Sequence, residues 1–313
     1  MITQWNDLSN LPDSAKGLVV AVGNFDGVHL GHQTVITTAR QQAHELATGM
    51  AVLTFAPSPY QFFNPNGDPN ELTPLHVRAK YMAQLGVQHL YVQNFNREFS
   101  EIEDKNFIQD VLRRQLNVRH VVVGENFRFG HHRTGDVDFL VNQSVRHGFG
   151  VTRIPPMRTP GGPAYSSTRV RKALQVGDPE EARQILGRPF EIEGVVRHGS
   201  QQGGKLGFRT ANLTLGDYVR PQYGVYAVKA AIVGTGAVHW RPGVANLGIR
   251  PSFEGKEELF EVHLFDLDKD LYDTRLRVQL WHYLRPEEKF GKLESLKRQI
   301  ARDVELAKQK LGA

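Results

Sequence analysis

The chain contains no cysteine, which excludes a disulfide framework, a thiolate zinc site and a cysteine nucleophile. A cytoplasmic setting is expected. It also lacks any apolar run approaching the roughly 20 residues that span a bilayer. The opening Met1-Ile2-Thr3-Gln4-Trp5-Asn6-Asp7 has neither the basic stretch nor the apolar run of a targeting segment. No membrane partner is expected. Charge of one sign is scarce as well, because 38 Lys and Arg oppose 33 Asp and Glu, leaving a formal +5. Arg113-Arg114 is too short, and residues 289–297 too mixed in sign, to form a nucleic-acid-binding patch. The modest excess suits small anions, and no nucleic-acid partner is expected. Internal repeats and low-complexity segments are absent too.

What remains is a chain of 313 residues, 40% hydrophobic, long enough for two domains with cores of their own. Its rhythm changes partway. Apolar β-rich runs at 18–22, 51–55, 90–92 and 120–123 alternate with helical spacing at 35–46 and 107–116. That pattern predicts an α/β domain, Rossmann-like, with parallel strands joined by crossover helices. After Gly187-Arg188-Pro189 come short alternating strands, such as 226–232 and 260–265, broken by Gly, Pro and Asp. A small antiparallel β-barrel is expected there, closed by an amphipathic C-terminal helix from Gly291 onward. The boundary is set at 1–186 and 187–313.

The strongest chemical signal is Gly23-Asn24-Phe25-Asp26-Gly27-Val28-His29-Leu30-Gly31-His32, directly after the first buried strand. Turning there delivers the chain to a helix start, where unpaired backbone N–H groups and the positive end of the dipole attract phosphate. His29 and His32, three apart, share one side of that start. Their imidazoles can donate to oxygens that gain charge as a phosphate is attacked, and Gly31 permits close approach. An isolated pair at this spacing reads as a surface or metal-binding feature. Its strand, glycine turn and helix start make it resemble the nucleotidyltransferase superfamily instead.

Two further segments belong with it. Gly124-Glu125-Asn126-Phe127-Arg128-Phe129-Gly130 follows another buried strand and so falls at the same carboxyl edge of the sheet, where Asn126 can reach a ligand. Ser166-Ser167-Thr168-Arg169-Val170-Arg171 opens a helical stretch, with hydroxyls to cap it and Arg171 able to hold a triphosphate. Taken singly, these segments read as an ordinary turn and an ordinary cap.

In this order the three segments resemble the FAD synthetase module of the bacterial bifunctional riboflavin kinase/FAD synthetase family. The later segments resemble that family's kinase half: 194–199, then Gly203, Gly204, Leu206-Gly207-Phe208 and Thr210-Ala211-Asn212-Leu213, 223–227, 243–248, Glu261-Val262-His263-Leu264-Phe265-Asp266 and Arg285-Pro286-Glu287-Glu288-Lys289-Phe290. The resemblance implies two reactions. Riboflavin and ATP give FMN and ADP in the C-terminal domain, with Glu261 as the base. FMN and a second ATP then give FAD and pyrophosphate in the N-terminal domain, through His29, His32 and Arg171. Gly23, Asn24, Phe25, Asp26, Gly31, Asn126, Ser167 and Thr168 are expected at ATP there, and Gly199, Gly203 and Gly207 at ATP in the kinase. Thr210 and Asn212, two apart on a strand, point to one side and suit Mg²⁺ held against ATP. One position departs from the family: Arg209 stands where proline is usual, an exchange expected to loosen the strand presenting Thr210 and Asn212. It leaves open a second reading, in which the barrel binds flavin or nucleic acid without phosphorylating.

Overall fold

The computed structural model describes residues 2–159, 161–197, 210–234, 238–252, 255–267 and 269–313. The chain divides into two compact units, Met1–Asp68 with Thr73–Ser166, and Pro69–Leu72 with Ser167–Ala313.

The first unit holds a six-stranded, wholly parallel sheet. Its strands are β1 (Thr3–Trp5), β2 (Val19–Val22), β3 (Met50–Ala56), β4 (His89–Asn94), β5 (His120–Gly124) and β6 (Gly150–Ile154), in the order β1-β4-β3-β2-β5-β6. β2 lies between β3 and β5, and all four of its residues are buried. Such a strand reads as an unbroken apolar run because both faces of a parallel sheet are covered. The expected strands are all present, and the edge strands β1 and β6 are additions. β1 is only three residues long and largely exposed, so it carried little hydrophobic signal.

The crossovers are α1 (Leu30–Glu45), α2 (Pro59–Phe63), α3 (Leu75–Gln84), α4 (Arg97–Ser100), α5 (Asp104–Asn106) and α6 (Val137–His147). α1 buries Val35, Ile36, Ala39 and Ala43, the stripe its spacing predicts. Between α5 and β5 the stretch Phe107–Gln115 winds as a π-helix, with Leu116 N–H donating to Val111 O at 3.0 Å. Its buried residues Phe107, Ile108, Val111 and Leu112 fall on one side in either winding, so spacing alone could not separate the two.

In the second unit β7 (Phe190–Val195), β8 (Ala211–Leu213), β9 (Gly224–Ile232), β10 (Arg241–Ser252), β11 (Gly255–Leu264) and β12 (Arg275–Arg285) form one antiparallel sheet ordered β7-β12-β9-β10-β11-β8. The expected barrel takes the form of this single curled sheet. Register shifts at Leu280/His282 and Tyr283/Arg285 on β12 supply local bending of the kind that curls a sheet. α7 (Ser167–Gln175) and α8 (Pro179–Leu186) belong to this unit. The C-terminal helix Leu293–Leu311 packs Val304, Ala307 and Leu311 on Val225, Ala227 and Val244. Arg285 anchors it through Nε and Nη2, at 2.9 and 2.7 Å from the buried Asp303 carboxylate.

Candidate active sites

The histidine-bearing turn of the first unit is built from the inside. Asp26 is buried, and its Oδ1 accepts from Thr73 N–H at 2.9 Å and Thr73 Oγ1 at 3.2 Å, with Arg78 Nη2 at 3.8 Å. Gly27 N–H donates to Thr73 Oγ1 at 2.8 Å. Arg78, 1% exposed, donates through Nη1 to the Asn24 carbonyl at 2.9 Å and to Thr54 Oγ1 at 3.2 Å, and through Nη2 to the Thr73 carbonyl at 3.2 Å. The loop between β2 and α1 is thus held by a buried ion pair and its hydrogen bonds. They sustain an unusual backbone: Phe25 at φ 52°, Gly27 at φ 83° and Val28 at φ 42°. A β-branched residue at positive φ is strained by about 1–3 kcal/mol and persists only where its surroundings over-determine it. Asp26 therefore shapes the turn from below.

α1 begins at Leu30, so His29 caps the helix instead of lying within its first turn. Its Nδ1 accepts from His32 N–H at 3.2 Å, which in the neutral ring leaves the proton on Nε2 as a donor. The two imidazoles stack at 3.6 Å between centroids and 19° between planes, and Phe25 meets the His32 ring edge-on at 5.3 Å. Gly31 keeps the stack uncrowded. A Cβ there would lie 3.1 Å from His29 Cε1 and 3.2 Å from Nδ1.

Beside this turn opens a cavity of about 1030 Å³ whose wall includes Gly23, Asn24 and Asn126. The loops after β2 and β5 therefore meet, as their positions at one sheet edge predict. Among the described residues the buried Asn24 side-chain oxygen has no hydrogen-bond partner. Aromatic rings dominate the remaining wall: Phe62, Phe63 and Phe95 meet one another edge-on, Phe99 meets Phe95 edge-on, and Phe127 stacks on Phe129 at 5.4 Å. Ser167, Thr168 and Arg171 lie on α7, in the second unit, where Arg171 Nε donates to the Asn70 carbonyl at 2.8 Å.

The second unit aligns the other set. Glu261 on β11 is the register partner of both Asn212 on β8 and Asn246 on β10. Directly opposed residues of antiparallel strands share a face, with Cβ atoms about 5 Å apart. Thr210 stands two residues before Asn212, at the lip of β8. Arg197 N–H donates to the Asn212 carbonyl at 2.8 Å, extending the sheet past β8. At the neighbouring sheet end Tyr223 donates to Glu258 at 3.1 Å, and Arg220 pairs with Glu258 at 2.6 Å. Burial, followed by the Glu258 charge, pushes the Tyr223 hydroxyl up from its ordinary range, so it stays a donor at neutral pH. Gly199, Gly203, Gly207 and Arg209 lie outside the described residues.

Two family models match in tandem, FAD synthetase over residues 11–169 and riboflavin kinase over 186–311. The bifunctional riboflavin kinase/FMN adenylyltransferase of Escherichia coli K12 is 38% identical across 98% of this chain and 96% of its own length. That of Pseudomonas fluorescens is 41% identical across 96% and 95%. The chain belongs to this family. A solved structure titled a macrolide-efflux protein, from Streptococcus pneumoniae, superposes with a TM-score of 0.86 at 28% identity over 98% of both chains. Among the described residues no helix is long and apolar enough to cross a membrane.

Within this riboflavin kinase/FMN adenylyltransferase chain, the residues singled out from sequence are brought together in two places, Asn24 and Asn126 on one cavity wall with the stacked His29 and His32 at the neighbouring helix start, and Asn212 opposite Glu261. Sequence reasoning passed over Arg78, Thr54 and Thr73, and the aromatic wall. Arg78 left one readable trace, since it sits among Val77, Tyr81 and Met82 on the buried stripe of α3. An arginine at a core position of an amphipathic helix needs a buried partner.

Proposed function

We propose that this chain makes FMN and then FAD, one reaction in each half, with the functional boundary between residues 186 and 187. The observation that carries the reading is the pairing of the stacked His29–His32 helix start with an aromatic cavity on whose wall Asn24 and Asn126 meet. An aromatic cavity of this size suits a flat tricyclic ring, and polar groups at its edge suit a phosphate.

In the adenylylation half, a phosphate oxygen of FMN attacks the α-phosphorus of ATP, the bond to pyrophosphate breaks, and FAD results. His29 donates through Nε2, and His32 stands against its ring, so positive character faces the oxygens that gain charge. No general base is required, because the attacking phosphate is already ionised near neutrality. Gly23, Asn24, Phe25, Gly31 and Asn126 shape the nucleotide site, with Asp26 holding the turn from beneath. Arg171, Ser167 and Thr168 are assigned to ATP on the motif resemblance.

In the kinase half, Glu261 accepts the proton of the ribityl 5′-hydroxyl as its oxygen attacks the γ-phosphorus and ADP departs. Thr210 and Asn212 present uncharged oxygens beside the Glu261 carboxylate, a donor set that suits a hard cation such as Mg²⁺. When bound with ATP, that ion would neutralise phosphate charge. Gly199, Gly203 and Gly207 are assigned to the kinase's ATP, and a cytoplasmic location belongs to the same proposal.

Incubating the protein with riboflavin and Mg-ATP, and resolving flavins over time, should show FMN rising first and FAD following. Neither product appearing would defeat the proposal. His32→Gln keeps a neutral donor but loses the ring that stacks on His29, and should slow FMN-to-FAD conversion about tenfold while sparing FMN formation.

Gly31→Ala tests the stack separately. Alanine gains about 1 kcal/mol of helix propensity, while displacing the His29 cap costs about 1 kcal/mol, so melting should hardly move. FAD formation should nevertheless fall several-fold, and a wild-type rate would show that the ring geometry is not needed.

A further inference from the structure

The kinase face carries an acceptor that the reaction as described does not use. Asn246 flanks Glu261 on the side away from Asn212. Its Nδ2 donates to Glu287 Oε1 at 3.3 Å. Opposite a carboxylate only the amide nitrogen can donate, so this contact fixes which way the amide faces. The oxygen Oδ1 is thereby left as an acceptor, and among the described residues it accepts from no other side chain.

Glu287 is itself built into place. It lies in the segment joining β12 to the C-terminal helix, where Arg285 grips Asp303 with two nitrogens and the Pro286 carbonyl with the third. Its carboxylate fills the space over Gly248, where any Cβ would collide with it. Gly248 sits two residues beyond Asn246 on β10, hence on the same face. The glycine, the arginine clamp and the carboxylate together orient one amide next to Glu261.

We propose that Asn246, oriented by Glu287, reads the polyol chain of the flavin: Oδ1 accepts a hydrogen bond from a secondary hydroxyl and so sets the terminal hydroxyl against Glu261. The geometry fits the substrate chemistry, because a ribityl chain offers several hydroxyl donors along one extended carbon skeleton. Asn246 is then the residue that distinguishes a polyol side chain from a plain hydroxyalkyl one, and Glu287 is a positioning residue. This inference rests on the assignment of riboflavin phosphorylation to the Glu261 face.

The test uses the full chain and two acceptors, riboflavin and a flavin whose N10 substituent is an unbranched ω-hydroxyalkyl group without secondary hydroxyls. Asn246→Ala should raise the riboflavin KM about tenfold, as expected for losing one hydrogen bond to a buried polar substrate, with ATP KM unchanged. The hydroxyalkyl flavin should be phosphorylated equally by wild type and variant. Glu287→Ala should lose several-fold on riboflavin alone, and Glu287→Gln should restore most of it, because its amide oxygen can still accept from Asn246. Phosphorylation of the hydroxyalkyl flavin in the same samples reports that the second unit is folded, and FMN-to-FAD conversion that the first is. Equal losses on both flavins, or unchanged riboflavin kinetics, would overturn the inference. Glu261→Gln, run in parallel, separates the two levels: if it is inactive while Asn246→Ala behaves as wild type, only the polyol reading fails. If Glu261→Gln retains full turnover, the assignment beneath it fails.

Discussion

Glu261→Gln should stop FMN formation while the same protein still converts supplied FMN to FAD. The substitution keeps the shape of the side chain and removes its capacity to take a proton. Loss of a general base lowers turnover by roughly 10²–10⁴-fold, and here the loss falls on kcat, since the carboxylate meets the hydroxyl proton only as phosphoryl transfer proceeds. ATP KM should change little, because Thr210 and Asn212 remain. The asymmetry between activities is the diagnostic part, because Glu261 is embedded in a sheet of the second unit. Riboflavin and ATP followed by separation of FMN and ADP gives the first rate, and FMN with ATP gives the second. If both rates fell together, Glu261 would be a structural residue of β11, and the base would have to be sought elsewhere on that face.

Why the histidine turn could be read from sequence, and the kinase face only in part, follows from where the information lies. Gly23 through His32 is contiguous, and its strand, turn and helix start are each declared by local residue types: Val19 to Val22 buried on both sides, Gly27 at positive φ, His29 at the cap. Glu261 and Asn212 were legible as motif residues, but that they oppose each other, and that Asn246 flanks the same glutamate, depends on strand register. A slip of one residue would turn them to opposite faces, and nothing in either segment alone sets that register. The aromatic cavity was hidden for a related reason. Phe62 on α2, Phe95 after β4 and Phe127 after β5 meet only because β3, β4 and β5 share one parallel sheet with their carboxyl ends aligned. The curl of the second sheet was foreseen as a barrel from strand alternation, whereas the register shifts on β12 leave no trace in residue type. Asp26 was expected at ATP on the motif resemblance. Its carboxylate accepts from Thr73 at two atoms, and Thr73 lies 47 positions away, beyond the reach of local pattern.

That buried support carries the other large prediction. Arg78→Met keeps much of the side-chain volume and removes the charge, leaving Asp26 buried without its cation, and should destabilise the first unit by about 3–5 kcal/mol. Against a typical domain stability of about 5–15 kcal/mol, this is a large fraction, so the melting transition should drop by many degrees. Asp26→Asn should cost less, because a neutral amide oxygen can still accept from Thr73. The double variant should be more stable than the sum of the two losses implies, since no unpaired charge remains in it. Activity supplies the second readout. The Asn24 carbonyl receives Nη1 of Arg78, so the turn presenting Asn24 loses its fixed backbone, and FMN-to-FAD conversion should collapse even at temperatures where Arg78→Met is still folded. Thermal denaturation of the four proteins, with FAD formation assayed below each transition, decides the matter. A strictly additive cycle would mean that Asp26 and Arg78 do not act as a pair. A stable Arg78→Met protein making FAD at the normal rate would mean that the turn holds its shape without them, and the strain at Phe25 and Val28 would then need another source of support.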